Sequence, residues 1–319
     1  MALALLKSGD REDGGSPKHS LGKRLRAWWE GYELRPPGSD AGGGGAGADL
    51  ETDGVEGPAE DVPQWNPGRQ KLVEIIWGKG FTAPGGPEAV VDLAQPFGLT
   101  AENTMLEIGS GTGGGACAVA EKIGSYVDGF DLSGELVKQA LETAITKGLD
   151  SKAVVKKFDP ESFELKKNFY DGCLMREVLI LIEDKEALLE TALAAIKPGK
   201  PIVIVEMFTT EAEPGPLAAA SMAGEFGDVF PSDVAPVLAQ IKESGFEIRT
   251  DVDETEEYTG KARTAWSDLA NRLAGEDLDD DLAAALLRET ELWDRRNEAF
   301  AAGELQMRRI VAFKKSEVA

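Results

Sequence analysis

From about residue 63 onward, short apolar runs alternate along the chain with longer segments of helical periodicity. Apolar runs of about four to eight residues bounded by turn residues are typical of strands, and helices between them are typical of βαβ units. Because such units place their strands side by side, the pattern favours a doubly wound α/β fold with a mostly parallel, seven-stranded sheet. The predicted strands, in chain order, are 104–108, 126–131, 153–158, 170–175, 201–207, 247–251 and 307–313.

Helices are predicted between these strands. One follows the first strand and runs through Lys122, and two more cover 133–147 and 185–196. The long, charged segment 261–304 also has helical periodicity and lies between the last two predicted strands. We interpret it as a helical cap inserted before the last strand of a single domain that covers 63–319.

Residues 1–62 differ in composition and form a low-complexity leader. A run of glycines at 42–45 and the polar stretch after it predict disorder. Within the leader, 18–34 combines basic residues with Trp28 and Trp29, a pattern typical of a short amphipathic helix. Such a helix would bind an anionic membrane or a partner protein; a helix folded back on the domain and a disordered stretch remain the alternatives.

Charge and composition narrow the classes of function. The formal net charge of −23 repels phosphate backbones and argues against nucleic acid as a partner. The single histidine, His19, lies in the leader. The predicted domain therefore cannot use a histidine base, a Ser-His nucleophile or a His-rich metal site, and we expect no metal. With two cysteines and neither a secretory signal nor an apolar span, we expect a cytoplasmic protein whose membrane contact, if any, is peripheral. The oligomeric state is left open.

The strongest motif is the glycine-rich turn that follows the first predicted strand. Gly109, Gly111 and Gly113 allow a sharp strand-to-helix turn and a close approach of the backbone to a ligand. The N–H groups at the start of the helix favour an anionic group. Glu107, two residues before the first glycine, would meet a cationic amino group. Asp131, at the end of the second strand, is suited to the two hydroxyls of a ribose.

Alternatives accompany these assignments. The spacing of the turn also satisfies the dinucleotide fingerprint GxGxxG, which is a weak signal by itself. Glu107 and the segment 63–103, which resembles a substrate-side lid, favour another cofactor. Asp159, just after the third strand, would accept a hydrogen bond from an adenine amino group, or would only form a turn before proline.

The chain resembles class I S-adenosylmethionine-dependent methyltransferases over about residues 62–315. The resemblance rests on the glycine turn with Glu107, on Asp131 and on the segment 196–200 before the fifth strand. Within that class the chain is most similar to the phosphoethanolamine methyltransferase branch of small-molecule and lipid-precursor enzymes. This closer likeness is carried by 77–86, 113–115, 176–188 and 292–305. The resemblance implies a Rossmann-like methyltransferase fold, S-adenosyl-L-methionine as cofactor and a small-molecule acceptor.

The resemblance also implies roles for individual residues. Glu107 and Gln64 would hold the methionine end of the cofactor, Asp131 its ribose, Asp159 the adenine edge, and Met175 the region of the sulfonium. The complete implied cofactor set is Gln64, Phe81, Thr82, Glu107, Gly109, Ser110, Gly111, Gly113, Asp131, Leu132, Asp159, Pro160, Met175 and Arg176.

The sequence departs from this family at the acceptor site. Phosphoethanolamine methyltransferases use a paired tyrosine and histidine as latch and proton acceptor, and alignment places Trp65 and Leu181 at those positions. Together with Trp77 they would form an apolar wall for a hydrophobic or cationic acceptor, or they are ordinary core residues. Glu177 and Tyr258 remain as the polar candidates for handling a proton, with a helix cap as the alternative role of Glu177.

Methyl transfer from a sulfonium requires in-line positioning and the exclusion of water, and a base only when the acceptor arrives protonated. The sequence therefore predicts a methyltransferase that acts on a small-molecule or lipid-precursor acceptor, by N-, O- or C-methylation. A non-catalytic, cofactor-binding sensor or scaffold is the first alternative. A nicotinamide oxidoreductase is the second, and it rests on the glycine fingerprint alone.

Overall fold

The computed structural model describes residues 64–273 and 279–316. The leader 1–62, with its segment 18–34, lies outside these residues, and what the sequence predicts for it stays a prediction. Among the helices of the described ranges, none is both long enough and apolar enough to cross a membrane.

Strands and helices alternate through the described part of the chain. The strands are β1 (Thr104–Ile108), β2 (Tyr126–Asp131), β3 (Ala153–Lys157), β4 (Gly172–Arg176), β5 (Pro201–Thr209), β6 (Phe246–Asp253) and β7 (Leu305–Lys314). The helices are α1 (Pro67–Trp77), α2 (Gly86–Leu93), α3 (Gly114–Lys122), α4 (Gly134–Lys147), α5 (Lys185–Ala195), α6 (Pro216–Met222), α7 (Ala235–Glu243), α8 (Thr255–Leu273) and α9 (Asp280–Ala301).

The strands form one sheet in the order β3-β2-β1-β4-β5-β7-β6. Strands β1 to β5 run parallel to their neighbours, whereas β7 pairs antiparallel with both β5 and β6. From β1 to β3 each new strand is added on one side of β1, and from β4 onward the strands are added on its other side. This switch between β1 and β4 creates a crevice at the carboxyl ends of these strands. The predicted doubly wound, mostly parallel, seven-stranded sheet is confirmed.

Strand β1 shows that the sheet is covered on both faces. Met105 packs in one apolar cluster with Val90 of α2 and Val119 of α3. The next residue, Leu106, packs in a second cluster with Leu189 of α5. Successive side chains of a strand point to opposite faces, so a continuous apolar run is what a sheet between two helical layers requires.

Four helices were not predicted from the sequence: α1, α2, α6 and α7. All are short, with 7 to 11 residues, and each carries a proline at its first or second position. Proline is favoured there, because its missing N–H would be unpaired in the first turn anyway. In these segments proline therefore marks a helix start.

The predicted cap 261–304 consists of the two helices α8 and α9, which lie between β6 and β7. Helix α8 begins earlier than predicted, at Thr255, because the side chain of Asp253 accepts the backbone N–H of Thr255 at 2.8 Å. Helix α9 packs against α1 and α6. The cap thus joins the segment before β1 to the last strand.

Gly172 at the start of β4 marks a close approach between the sheet and the segment before β1. A β-carbon at this position would lie 2.5 Å from the ring of Phe97, which is itself buried. The ring sits in the core and the glycine belongs to a central strand, so neither group has room to move. Gly260 lies within α8, and a β-carbon added there would have no atom within 4 Å.

We expect Gly172→Ala to lower the free energy of unfolding by about 1–3 kcal/mol, because it overpacks the core against Phe97. Gly260→Ala is the matched control and should raise it by up to about 1 kcal/mol, since alanine favours a helix. Chemical denaturation followed by circular dichroism measures both. Equal stability of Gly172→Ala and the parent chain would contradict the packing described here.

Candidate active site

A cleft opens where the carboxyl ends of β1, β2, β4 and β5 meet, with a cavity of about 270 Å³. Its walls come from the glycine turn after β1, the end of β2, the loop after β4, and residues of α1, α8 and α9. Ligands of open α/β sheets bind in such a crevice, outside the carboxyl ends of the strands. The predicted site therefore lies where this architecture places ligands.

The glycine turn runs closely past the loop after β4. Gly109 has a φ of +86°, and a β-carbon there would lie 2.4 Å from the carbonyl oxygen of Arg176. Gly113 precedes α3, whose first N–H, that of Gly114, donates to the carbonyl oxygen of Gly80 at 2.9 Å, and whose Ala116 N–H donates to Glu107. Only glycine permits this path, and the N-terminus of a helix is suited to a negatively charged group.

Glu107 is a buried carboxylate beside this turn. Its side chain is almost fully enclosed, and its Oε2 atom has no hydrogen-bond partner among the described residues. Burial raises the pKa of Glu107 to about 7, while the charge of Arg176 acts in the opposite direction. A buried carboxylate with one oxygen free of hydrogen bonds fits the cationic amino group of an amino-acid moiety.

Asp131 joins the end of β2 to the glycine turn. One carboxylate oxygen accepts the backbone N–H of Gly111 at 2.8 Å, and the other accepts that of Ser133 at 2.9 Å. Burial raises the pKa of Asp131, and these two backbone donors counteract the shift. Ser133 caps α4 through its own hydroxyl, which accepts the N–H of Leu136, so the role of Asp131 is not that cap.

The cavity brings together most of the cofactor residues that the resemblance implies. Those that line it are Gln64, Phe81, Thr82, Glu107, Gly109, Ser110, Gly111, Asp131, Leu132 and Arg176. Four others do not line it: Gly113, Asp159, Pro160 and Met175. Met175 is completely buried in β4, and Asp159 accepts the N–H of Glu161 in a one-turn helix. Their roles stay predictions.

The predicted apolar wall is divided between cavity and core. Trp65 and Leu181 line the cavity, but Trp77 does not. The ring of Trp77 is buried and packs on Trp293 of α9, with 5.0 Å between ring centroids. Trp77 thus occupies the core position that the sequence analysis had left as the alternative.

Glu177 and Tyr258, far apart in sequence, meet at this cavity. The hydroxyl of Tyr258 donates to Oε2 of Glu177 at 2.9 Å. Glu177 does not cap the following helix, because Asp184 caps α5. Burial raises the pKa of Tyr258 well above its usual value, and the neighbouring Glu177 adds to this shift, so the tyrosine remains protonated. Glu177 has a φ of +48°, a conformation that is uncommon for a residue other than glycine.

Glu206 in β5 holds Glu177 in place and was not found from the sequence. Its carboxylate accepts the backbone N–H groups of Val178 and Leu179 at 2.8 and 2.7 Å. Burial raises its pKa to about 8, and the backbone donors act against that shift. The sequence did contain one signal for Glu206, since it is a single carboxylate inside a strand whose residues are all buried.

Two ion pairs at the cavity were also missed. Arg69 of α1 pairs with Glu289 of α9 at 2.5 Å, and Arg296 of α9 pairs with Glu225 at 2.7 Å. Arg69 and Glu289 are 220 residues apart, and a single sequence contains no signal that pairs them. Within 64–273 and 279–316, no group of three or more His, Cys, Asp or Glu side chains could hold a metal ion.

Comparison with known proteins points to one family. A family model described as a methyltransferase domain matches residues 105–199. The chain is 29% identical over 188 residues to phosphoethanolamine N-methyltransferase 1 of Arabidopsis thaliana, which covers 58% of this chain and 37% of that protein. It is 35% identical over 101 residues to norajmaline N-methyltransferase of Rauvolfia serpentina, with 32% of this chain and 35% of that protein covered. The matches thus span little more than a third of these relatives' own length.

Among solved structures, the chain is similar in fold to phosphoethanolamine N-methyltransferase 2 of Haemonchus contortus, in complex with phosphomonomethylethanolamine and S-adenosylhomocysteine. The TM-score is 0.66 at 22% identity, and the match covers 77% of this chain and 57% of that one. The strand order, the glycine turn with Glu107, and Asp131 agree with this likeness. Residues 105–199 of the chain therefore match a methyltransferase domain, and the described fold is that of class I S-adenosylmethionine-dependent methyltransferases such as the phosphoethanolamine N-methyltransferases.

Proposed function

We propose that this chain transfers a methyl group from S-adenosylmethionine to a small-molecule or lipid-precursor acceptor. The observation that carries the proposal is that one cavity is lined both by residues suited to the cofactor and by residues suited to handling a proton of the acceptor. Glu107 and Asp131 lie at one part of its lining, and the hydrogen-bonded pair Glu177–Tyr258 lies at another. The relatives are N-methyltransferases, which favours a nitrogen acceptor here.

The residues of the cleft fit the cofactor. Glu107 would bind its amino group and Asp131 its ribose hydroxyls, and the start of α3, which lines the cavity through Gly115, would face its carboxylate. Bound there, S-adenosylmethionine supplies an electrophilic methyl group on a sulfonium. Phe81 and Thr82, which line the same cavity, would exclude water from it.

The acceptor must present a neutral nitrogen lone pair, so an amine that arrives as an ammonium ion has to lose a proton. Glu177 is the proton acceptor in this proposal, because Trp65 and Leu181 cannot take one. Tyr258 donates its hydrogen bond to Glu177 and stays protonated, so it orients the carboxylate and is not itself a base. The remaining contribution of the protein is to hold donor and acceptor in line.

We expect Glu177→Gln to lower kcat by about 10²–10⁴-fold, because the amide cannot accept the proton. Tyr258→Phe should lower it less, by about tenfold, since only the orientation of Glu177 is lost. Transfer of labelled methyl from S-adenosylmethionine to an amine library measures both. The control is Glu183→Gln, an exposed carboxylate of the same segment, which should leave kcat unchanged.

Full activity of Glu177→Gln would contradict the role of this carboxylate. Absence of turnover with every acceptor, together with tight cofactor binding, would contradict catalysis and favour a sensor or scaffold.

Binding of S-adenosylhomocysteine should depend on pH through Glu107. With a pKa of about 7 in the free protein, this carboxylate is mostly neutral below pH 7 and mostly ionised above it. A cationic amino group prefers the ionised form, so the affinity should fall by up to about tenfold per pH unit as the pH drops from about 7 to about 5.5. Calorimetric titration measures it. In Glu107→Gln the affinity should be lower and this slope absent; an unchanged slope would assign the titration to another group.

A further inference from the structure

The part of the cavity around Glu177 is lined by more carboxylates than cations. The carboxylates are Glu177, Glu206, Glu225, Asp228 and Glu289, and the cations on the same walls are Arg69 and Arg296. Which of these charges remains available to an acceptor depends on how they are paired.

Arg69 is already engaged by aromatic rings and by hydrogen-bond acceptors. Its guanidinium lies between the rings of Trp65 and Phe226, at 3.9 and 3.5 Å from their centroids. Its Nε donates to Glu289 at 2.5 Å, and Nη1 donates to the backbone carbonyl of Gln64 at 3.0 Å. Both faces of the group are covered by rings, and its Nε and Nη1 atoms are occupied by these acceptors.

Arg296 is neutralised in a different way. Its Nε and Nη2 atoms donate to the two oxygens of Glu225, each at 2.7 Å, in a bidentate pair. One face of the guanidinium lies over Trp293, 5.4 Å from its ring centroid. A phosphate that took the Nε and Nη2 atoms of Arg296 would have to displace a partly buried carboxylate from a bidentate pair, which is unfavourable.

Two carboxylates remain without a cation among their described partners. Glu177 accepts only the neutral hydroxyl of Tyr258, and Asp228 is exposed at the mouth of the cavity. Glu206 is occupied by backbone N–H groups. Arg176, the third arginine of the cavity, lies between the two parts of the site, because its charge acts on both Glu107 and Tyr258. Even with Arg176 counted, seven carboxylates line the cavity against three arginines, so the cavity is net negative.

On the basis of the proposed function, we infer that the acceptor is an organic cation, an amine protonated in solution that carries no phosphate or other anionic group. Asp228 attracts the cation at the entrance, and Glu177 receives it inside. A phosphorylated amine would meet Asp228 first and would find both acceptor-side arginines already paired. The chain would thus differ in acceptor from the phosphoethanolamine N-methyltransferases to which it is similar.

Binding of two matched probes to the complex with S-adenosylhomocysteine tests this inference without turnover. Choline and phosphocholine carry the same quaternary cation and differ by the phosphate, and neither is methylated at nitrogen. Calorimetric titration should show choline binding at least about tenfold more tightly than phosphocholine, because the phosphate meets unpaired carboxylates. Phosphocholine that binds as tightly as choline, or more tightly, would overturn the inference.

Two variants and a control sharpen the comparison. Asp228→Asn should lower the affinity for choline by about two- to fivefold, as expected for an exposed charge, and should raise the affinity for phosphocholine. Glu225→Gln removes the charge that pairs with Arg296 and should raise the affinity for phosphocholine by at least about fivefold. Glu183→Gln, away from the cavity, should change neither affinity.

The first titration of this series, with S-adenosylhomocysteine alone, distinguishes a failure of the proposed function from a failure of the inference about the acceptor. If that ligand does not bind to the folded chain, the proposed function itself fails. If it binds and Asp228→Asn leaves both probe affinities unchanged, the cofactor assignment stands and the inference about the acceptor is overturned. Thermal unfolding of each variant shows whether it is folded.

Discussion

A buried carboxylate in the middle of the sheet determines the geometry of the proposed catalytic group. Glu206 leaves β5 toward the cavity and accepts the N–H groups of Val178 and Leu179, which follow β4. These bonds fix the loop in which Glu177 adopts a positive φ, and Tyr258 of α8 then contacts Glu177 from the other side. Together with the bond from the N–H of Glu177 to the carbonyl oxygen of Val205, this anchor holds an uncommon backbone conformation at the proposed proton acceptor.

The cap connects this loop to the entrance of the cavity. Arg69 and Glu289 join α1 to α9, and Arg296 joins α9 to Glu225. These buried pairs contribute little net stability compared with apolar contacts, but a loss of one partner would leave an uncompensated charge. The effect that we propose for function is larger, because the pairs engage two arginines that line the cavity. The same contacts that close the cap over the sheet therefore set the charge that an acceptor meets.

The sequence was sufficient for the sheet and for one half of the site. The apolar runs and the turn Gly109–Gly113 are local signals, since strand burial and a positive φ leave a mark within a few residues. Glu107 and Asp131 could be placed because each lies at a known distance from that turn. The pair Glu177–Tyr258 was selected by elimination, in a chain whose one histidine, His19, lies outside the described residues, and the structure brings these two side chains together.

The acceptor half could not be predicted, because it is built from contacts between distant segments. Arg69 lies on α1 and its partner Glu289 on α9, and neither local pattern nor charge spacing relates them. For Trp77 the sequence left both an acceptor wall and the core open, and the structure places its ring in the core beside Trp293. Aromatic side chains serve a core and a binding site equally well, so only packing distinguishes the two.

The central claim is that the cleft beside Glu107 and Asp131 binds S-adenosylmethionine. Calorimetric titration of S-adenosylmethionine and S-adenosylhomocysteine into the full chain, with Asp131→Ala as the comparison, tests it most directly. The account predicts a Kd in about the micromolar range for both ligands. It also predicts a loss of at least about tenfold in the variant, since Asp131 holds the turn through Gly111 and faces the cavity. Absence of binding to the folded parent chain, or equal affinity in Asp131→Ala, would contradict it.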